Sequence, residues 1–131
     1  MTATVVASCK VTATNLNFGS VGSLGANVDG TSTVTPQCTN GTPYNVGLNA
    51  GAGAGATVTT RKMTSGANII NYSLYRDSAR TQVWGTTIGT NTVSGTGTGS
   101  NQNLTAYGRI PSQTTPPGGT YNDTITVTVT Y

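Results

Sequence analysis

The segment TYNDTITVTVTY, Thr120 to Tyr131, constrains the fold more than any other. From Thr124 onward Ile125, Val127, Val129 and Tyr131 fall on one side, and Thr124, Thr126, Thr128 and Thr130 on the other. A period of two is the signature of a β-strand with one face for a core. Proteins usually blunt an exposed strand with charge, proline or a bulge. Thr124 to Tyr131 holds no charged residue and no proline, so the fold must be a sheet in which this edge is covered or put to use.

Similar bursts recur upstream at Ala3 to Ser8, Lys10 to Phe18, Thr31 to Cys38, Tyr44 to Asn49, Asn68 to Tyr75, Gln82 to Thr86 and Asn101 to Ile110. Asn40-Gly41, Pro116-Pro117 and Gly118-Gly119 punctuate them as turns. No stretch carries apolar residues at helical spacing. About seven short strands with this punctuation predict an antiparallel β-sandwich, an all-β fold class. At 131 residues the chain is one domain's worth. Charged residues make up 7% of it, far below the roughly one quarter of an average soluble protein. That balance argues against charge-driven disorder and favours threonine- and valine-rich sheet. GAGAGA, Gly51 to Ala56, and SGTGTGSNQN, Ser94 to Asn103, read as loops, because neither leads into a helix or a phosphate-binding Gly-Lys-Ser/Thr.

The two cysteines, Cys9 and Cys38, are expected to form a disulfide joining an early strand to the second sheet region. Closing a loop of about 30 residues would stabilise the fold by roughly 3 to 4 kcal/mol on the chain-entropy model. A disulfide implies an oxidising compartment. Met1 is followed by Thr2 and Ala3 with no basic or apolar leader, so the sequence reads as a mature or trimmed form. No run approaches the 18 or so apolar residues of a membrane helix.

Catalysis finds little to build on. Histidine and glutamate are missing, and Asp29, Asp77 and Asp123 are the only carboxylate side chains. A histidine-dependent triad or metal centre is therefore excluded, and neither cofactor nor metal is expected. Asp77 and Asp123 could formally make a glycosidase-like pair, but their settings favour turn and surface roles. Trp84 and Tyr44 could form an exposed sugar platform, although a lone tryptophan in a sandwich is more often core. Lys10, Arg61, Lys62, Arg76, Arg80 and Arg109 give a net charge of +3 but are scattered, which speaks against nucleic acid. In NYSLYRD, Tyr72, Leu74 and the stem of Arg76 alternate with Ser73, Tyr75 and Asp77, so one set should face the core and the other the surface, and Asp77 is expected to pair with Arg80 across a turn.

NYSLYRDSARTQVWG (Asn71 to Gly85), LTAYGRIPSQTTPPGGTYNDTITVTVTY (Leu104 to Tyr131), Cys9 followed by LNFGSV (Leu16 to Val21) and TPQC ending at Cys38 carry a resemblance. In order and spacing they resemble the spore coat protein U domain family, which includes subunits of archaic, Csu-type chaperone-usher pili. The resemblance implies an incomplete immunoglobulin-like sandwich lacking its last strand, completed by a donor strand from a neighbouring subunit. It implies a cell-surface fibre exported through the periplasm and serving adhesion and biofilm formation. Its partners would be identical or related subunits, a periplasmic chaperone and an outer-membrane usher. On that reading residues 9–131 are the domain, and residues 1–8 are the remnant of a donor segment or a first strand. The donor groove is expected between the terminal strand, with Ile125, Val127, Val129 and Tyr131, and an early strand carrying Val11, Leu16 and Phe18. A shaft or minor subunit fits the length better than a two-domain tip. The alternatives are a spore or cyst coat protein of the same family and a carbohydrate-binding sandwich.

Overall fold

The structure is a computed structural model that describes residues 1–131. It has eight strands and no helix: β1 Cys9–Ala13, β2 Val28–Cys38, β3 Pro43–Leu48, β4 Arg61–Ser65, β5 Asn68–Tyr75, β6 Val93–Thr96, β7 Leu104–Ile110 and β8 Val127–Thr130. They form a five-stranded sheet in the order β1-β2-β7-β5-β4 and a three-stranded sheet in the order β6-β3-β8. Every pairing is antiparallel. The core between the sheets holds Leu24, Val34, Val46, Leu48, Tyr72, Leu74, Trp84, Ala106 and Ile110. Trp84 is 0% and Tyr44 3% exposed, so both rings are core and the sugar-platform alternative is set aside. The Trp84 Nε1–H is satisfied by Val46 O at 2.8 Å.

Two strands were not legible. β4 begins with two cations, which hid it, but Gly66 at φ 61° lets Gly66-Ala67 turn the chain between the paired residues Ser65 and Asn68. A glycine first in a two-residue loop is the type II′ hairpin signal. β6 runs from Val93 into the stretch read as loop, Ser94 to Asn103. Its Gly95 stands opposite Tyr44, where a Cβ would fall 2.5 Å from the tyrosine oxygen. The glycine there makes room for a ring and does not end the strand.

Other expectations shrink. Ala3 to Ser8 is no strand, the strand from Cys9 ends at Ala13 with one further backbone bond from Thr14 N to Thr33 O, and Gln82 to Thr86 contributes a single bridge, Tyr75 to Val83. The terminal alternation pairs regularly only from Val127 to Thr130, because the chain changes sheets before it. Asn122 exchanges both backbone hydrogen bonds with Thr64 of β4, at 2.9 and 3.1 Å, and the chain then crosses to the other sheet, where Asn49 N donates to Thr126 O at 3.1 Å.

Candidate functional site: the open edge at β8

β8 pairs with β3 alone, in the register Asn45–Thr130, Val46–Val129, Gly47–Thr128 and Leu48–Val127. Antiparallel ladder bonds recur at every second residue. Since Asn49 N bonds Thr126 O, the backbone groups of Thr128 and Thr130 face β3 and those of Val127 and Val129 face the free side. The same alternation turns the Val127 and Val129 side chains inward, half-buried against the core with Ile125. Tyr131 remains 59% exposed. The edge therefore offers unpaired backbone and apolar side chains at every second position.

The bank opposite is β1, one of the two edge strands of the larger sheet and the element of that sheet closest to β8. Val11 points inward from it, half-buried. Leu16 and Phe18 do not share that bank. They lie in the loop after β1 and pack over the inner face of β2 and β7 at Gly30 and Gly108, which are paired with each other. A Cβ on Gly108 would come within 2.7 Å of Leu16 Cδ1 and 3.0 Å of Phe18 Cζ, so bare glycines are what let these side chains in. Phe18 also meets Tyr72 edge-on, with ring centroids 6.2 Å apart.

Cys9 and Cys38 are disulfide-bonded. They are directly opposite residues of β1 and β2, so the bridge fastens the β1 bank within one sheet and does not join two, as the sequence had suggested. On the outer face of that sheet Asp29 accepts from Arg109 at 2.8 and 3.1 Å, and Arg80 stands 3.6 Å away. Arg109's hydrogen bonds hold the Asp29 carboxyl below its usual range. Arg80 also lies 5.5 Å from the Tyr107 ring centroid and donates to Gly108 O. The expected Asp77–Arg80 pair is thus replaced. Asp77 accepts instead from the hydroxyl and backbone N–H of Thr81 and from Gln82 N, which lowers its pKa. Ser73 is buried together with Tyr72 and Leu74 and donates to Thr59 O at 2.8 Å, so the two alternating sets of this segment do not divide cleanly into core and surface.

The chain is held on its way to β8 by a corner that the sequence did not disclose. Arg61 is 0% exposed, and its guanidinium donates to Asn49 O, Val58 O, Leu48 O and Trp84 O at 2.6 to 3.0 Å. Burial without a carboxylate contact lowers its pKa to about 10, which still leaves it charged at neutral pH. Asp123 accepts from the Tyr72 hydroxyl at 2.6 Å and from the backbone of Ala52 and Thr124, both at 2.8 Å. Burial, then the Asp123 hydrogen bond, push the Tyr72 phenol upward. Asn49 Oδ1 accepts from Gly51 N and Thr126 N. Asp77 and Asp123, the formal carboxylate pair, share no hydrogen bond, and no group of three or more His, Cys, Asp or Glu side chains comes together. A polar hollow of about 110 Å³ on the outer face of the smaller sheet is lined by Asn45, Thr92, Thr128 and Thr130 with Ile88, and no aromatic ring reaches it.

An all-antiparallel two-sheet sandwich whose final strand keeps a bare apolar edge is immunoglobulin-like in class. The chain belongs to the spore coat protein U domain family, which matches residues 1–128. It is 34% identical over 128 residues to Protein U of Myxococcus xanthus, an alignment covering 88% of this chain and 71% of that protein. It also resembles a chain in the crystal structure of the CsuC–CsuE chaperone-tip adhesion subunit pre-assembly complex from archaic chaperone-usher Csu pili of Acinetobacter baumannii. That likeness has a TM-score of 0.69 at 28% identity and covers 98% of this chain. The chain spans 40% of the length of that solved chain.

Proposed function

We propose that this protein is a structural, non-catalytic subunit of an archaic chaperone-usher pilus that assembles by strand donation at the free edge of β8. The observation that carries the reading is the edge itself: uncharged, free of proline, paired on one side only, with Ile125, Val127 and Val129 directed inward beside β1. Strand addition takes its affinity from main-chain hydrogen bonds and its register from pockets for alternate side chains. Residues 1–8 serve as donor segment; that Met1–Ala7 joins no strand and is exposed throughout supports this. Partners are then neighbouring subunits in the fibre and, during export through the periplasm, a chaperone and an outer-membrane usher. The fibre stands at the cell surface and serves adhesion and biofilm formation. The likeness to Protein U supports a second reading, a coat protein that assembles through the same edge.

A synthetic peptide with the Met1–Ser8 sequence tests the edge. It should bind the chain and slow exchange of the Val127 and Val129 amides. Val127→Asp exchanges a buried apolar contact for an unpaired carboxylate, at a cost of about 3 kcal/mol or more, and should weaken uptake over 100-fold. Thr126→Asp, on the outer side, should retain uptake. Equal binding by wild type and a folded Val127→Asp variant refutes the assignment.

A further inference from the structure

The chain approaches β1 along a fixed line. Ser8 N donates to Thr39 Oγ1 at 2.9 Å, Thr39 N donates to Ser8 O at 2.9 Å, and Thr39 Oγ1 donates to Ser8 O at 3.2 Å. The next residue, Cys9, is bonded to Cys38 opposite. Ser8 thus prolongs β1 beyond its ladder, held at both backbone groups by one threonine. Met1–Ala7 extends past that point into solvent, with Val5 85% and Val6 75% exposed.

The register places the free edge at the same end. β2 finishes at Cys38, β3 starts at Pro43, and Asn45 stands opposite Thr130. Ser8 and the finish of β8 therefore share one end of the sandwich, and β1 runs away from that end. To lie along its own β8, the segment before Ser8 would have to reverse direction, and a half-turn made at Ser8, the one that leaves all of Met1–Ala7 free to pair, pulls both backbone groups of that residue off Thr39. Met1–Ser8, like β8, contains neither a charged side chain nor proline, so the two pieces are compatible in chemistry and kept apart by direction.

We propose that Thr39 is a latch that makes strand donation intermolecular: by holding Ser8 in line with β1, it aims Met1–Ala7 away from its own β8 and toward the β8 edge of a second copy of this chain. The inference rests on β8 being an acceptor edge. The hydroxyl is the working part, because it accepts from Ser8 N and also donates to Ser8 O. Valine keeps the shape of threonine and the backbone bond from residue 39 but loses both hydroxyl contacts, whereas serine keeps them.

The test compares the wild-type chain with Thr39→Val and Thr39→Ser variants, by size-exclusion chromatography with light scattering and by amide exchange at Val127 and Val129. Concentration is varied over about two decades. In wild type, protection of these amides should rise with concentration, together with the oligomer. In Thr39→Val a monomer should show concentration-independent protection, with exchange about tenfold slower than in dilute wild type. Thr39→Ser should follow wild type. Adding Val127→Asp to Thr39→Val should abolish the protection, showing that β8 is the surface being covered. If Thr39→Val stays as unprotected as dilute wild type, or the wild-type monomer is already protected at every concentration, the latch is refuted. If protection depends on concentration in both proteins, the latch alone falls. If these amides gain protection in no variant at any concentration, the acceptor edge falls with it.

Discussion

The corner around Arg61 and the gap between β1 and β8 are two solutions to the same problem, how to finish the side of a sandwich. At the corner every polar group is answered from within: the Arg61 guanidinium by Asn49, Val58, Leu48 and Trp84 carbonyls, and the Asp123 carboxylate by Tyr72 and two backbone amides. At the gap Val127 and Val129 are half-buried and their backbone groups face outward without a strand beside them. A buried unpaired polar group is costly, so a closed site must be complete. An edge in water carries no such demand and can wait for a partner. The corner also positions the gap, because Asp123 and Asn49 hold the sheet-crossing segment from which β8 emerges.

Arg61→Met should break the comparison at its closed end with the largest effect. Removing the cation leaves carbonyls of Leu48 and Trp84 buried without donors, and a loss of roughly 3 to 5 kcal/mol is expected in urea unfolding. A loss under about 1 kcal/mol would mean that the corner does not carry the fold. Next comes the bank of the gap. Cysteines 29 residues apart in sequence close a loop, and replacing both with serine should cost about 3 to 4 kcal/mol. Because Cys9 and Cys38 anchor β1 to β2, the loss should be accompanied by faster exchange along Cys9–Ala13, while the Arg61 corner stays protected. Uniform loss of protection would show that the two regions are one cooperative unit.

The smallest effect concerns pH and lies away from both regions. Hydrogen bonds from Thr81 and Gln82 hold Asp77 below the 3.8 of a free aspartate, and those from Arg109 do the same for Asp29. A lowered carboxyl pKa gives stability that is fully present above the unfolded value and is lost as pH falls through the folded value. The amides of Thr81 and Gln82 should therefore titrate with a midpoint below 3.8, followed by two-dimensional NMR, while those of Val127 and Val129 stay unmoved. A midpoint at or above that value would remove Asp77 from the turn.

Much of the architecture was legible because it is written in neighbours two residues apart. β3, β5, the paired part of β7 and the inward face of β8 follow from alternation, and Asn68–Tyr75 was bounded correctly. That Val11, Ile125, Val127 and Val129 turn toward the core was legible on the same grounds, whereas Tyr131 continues the alternation yet stays exposed. Leu16 and Phe18 were misplaced because the alternation that names them continues past Thr14, the last residue bonded to β2. Arg61 was hidden because a buried arginine followed by Lys62 looks, in sequence, like any surface cation pair. Arg80 was assigned the nearest carboxylate in the chain, yet the fold gave it Asp29, on a strand that β7 separates from β5.

Local chemistry by itself determined that this chain is a sheet protein, that its last segment is a strand with one apolar face, and that its histidine-free composition supports no histidine-dependent chemistry. These properties belong to single residues and to their nearest neighbours along the chain. Tertiary structure alone decided which side of β8 stays bare, where the final segment changes sheets, which carbonyls close around Arg61 and where Thr39 directs the first residues. Each of these brings together groups that lie far apart in the chain, and the energies that choose them, burial and the completion of hydrogen bonds, exist only once the sheets have met.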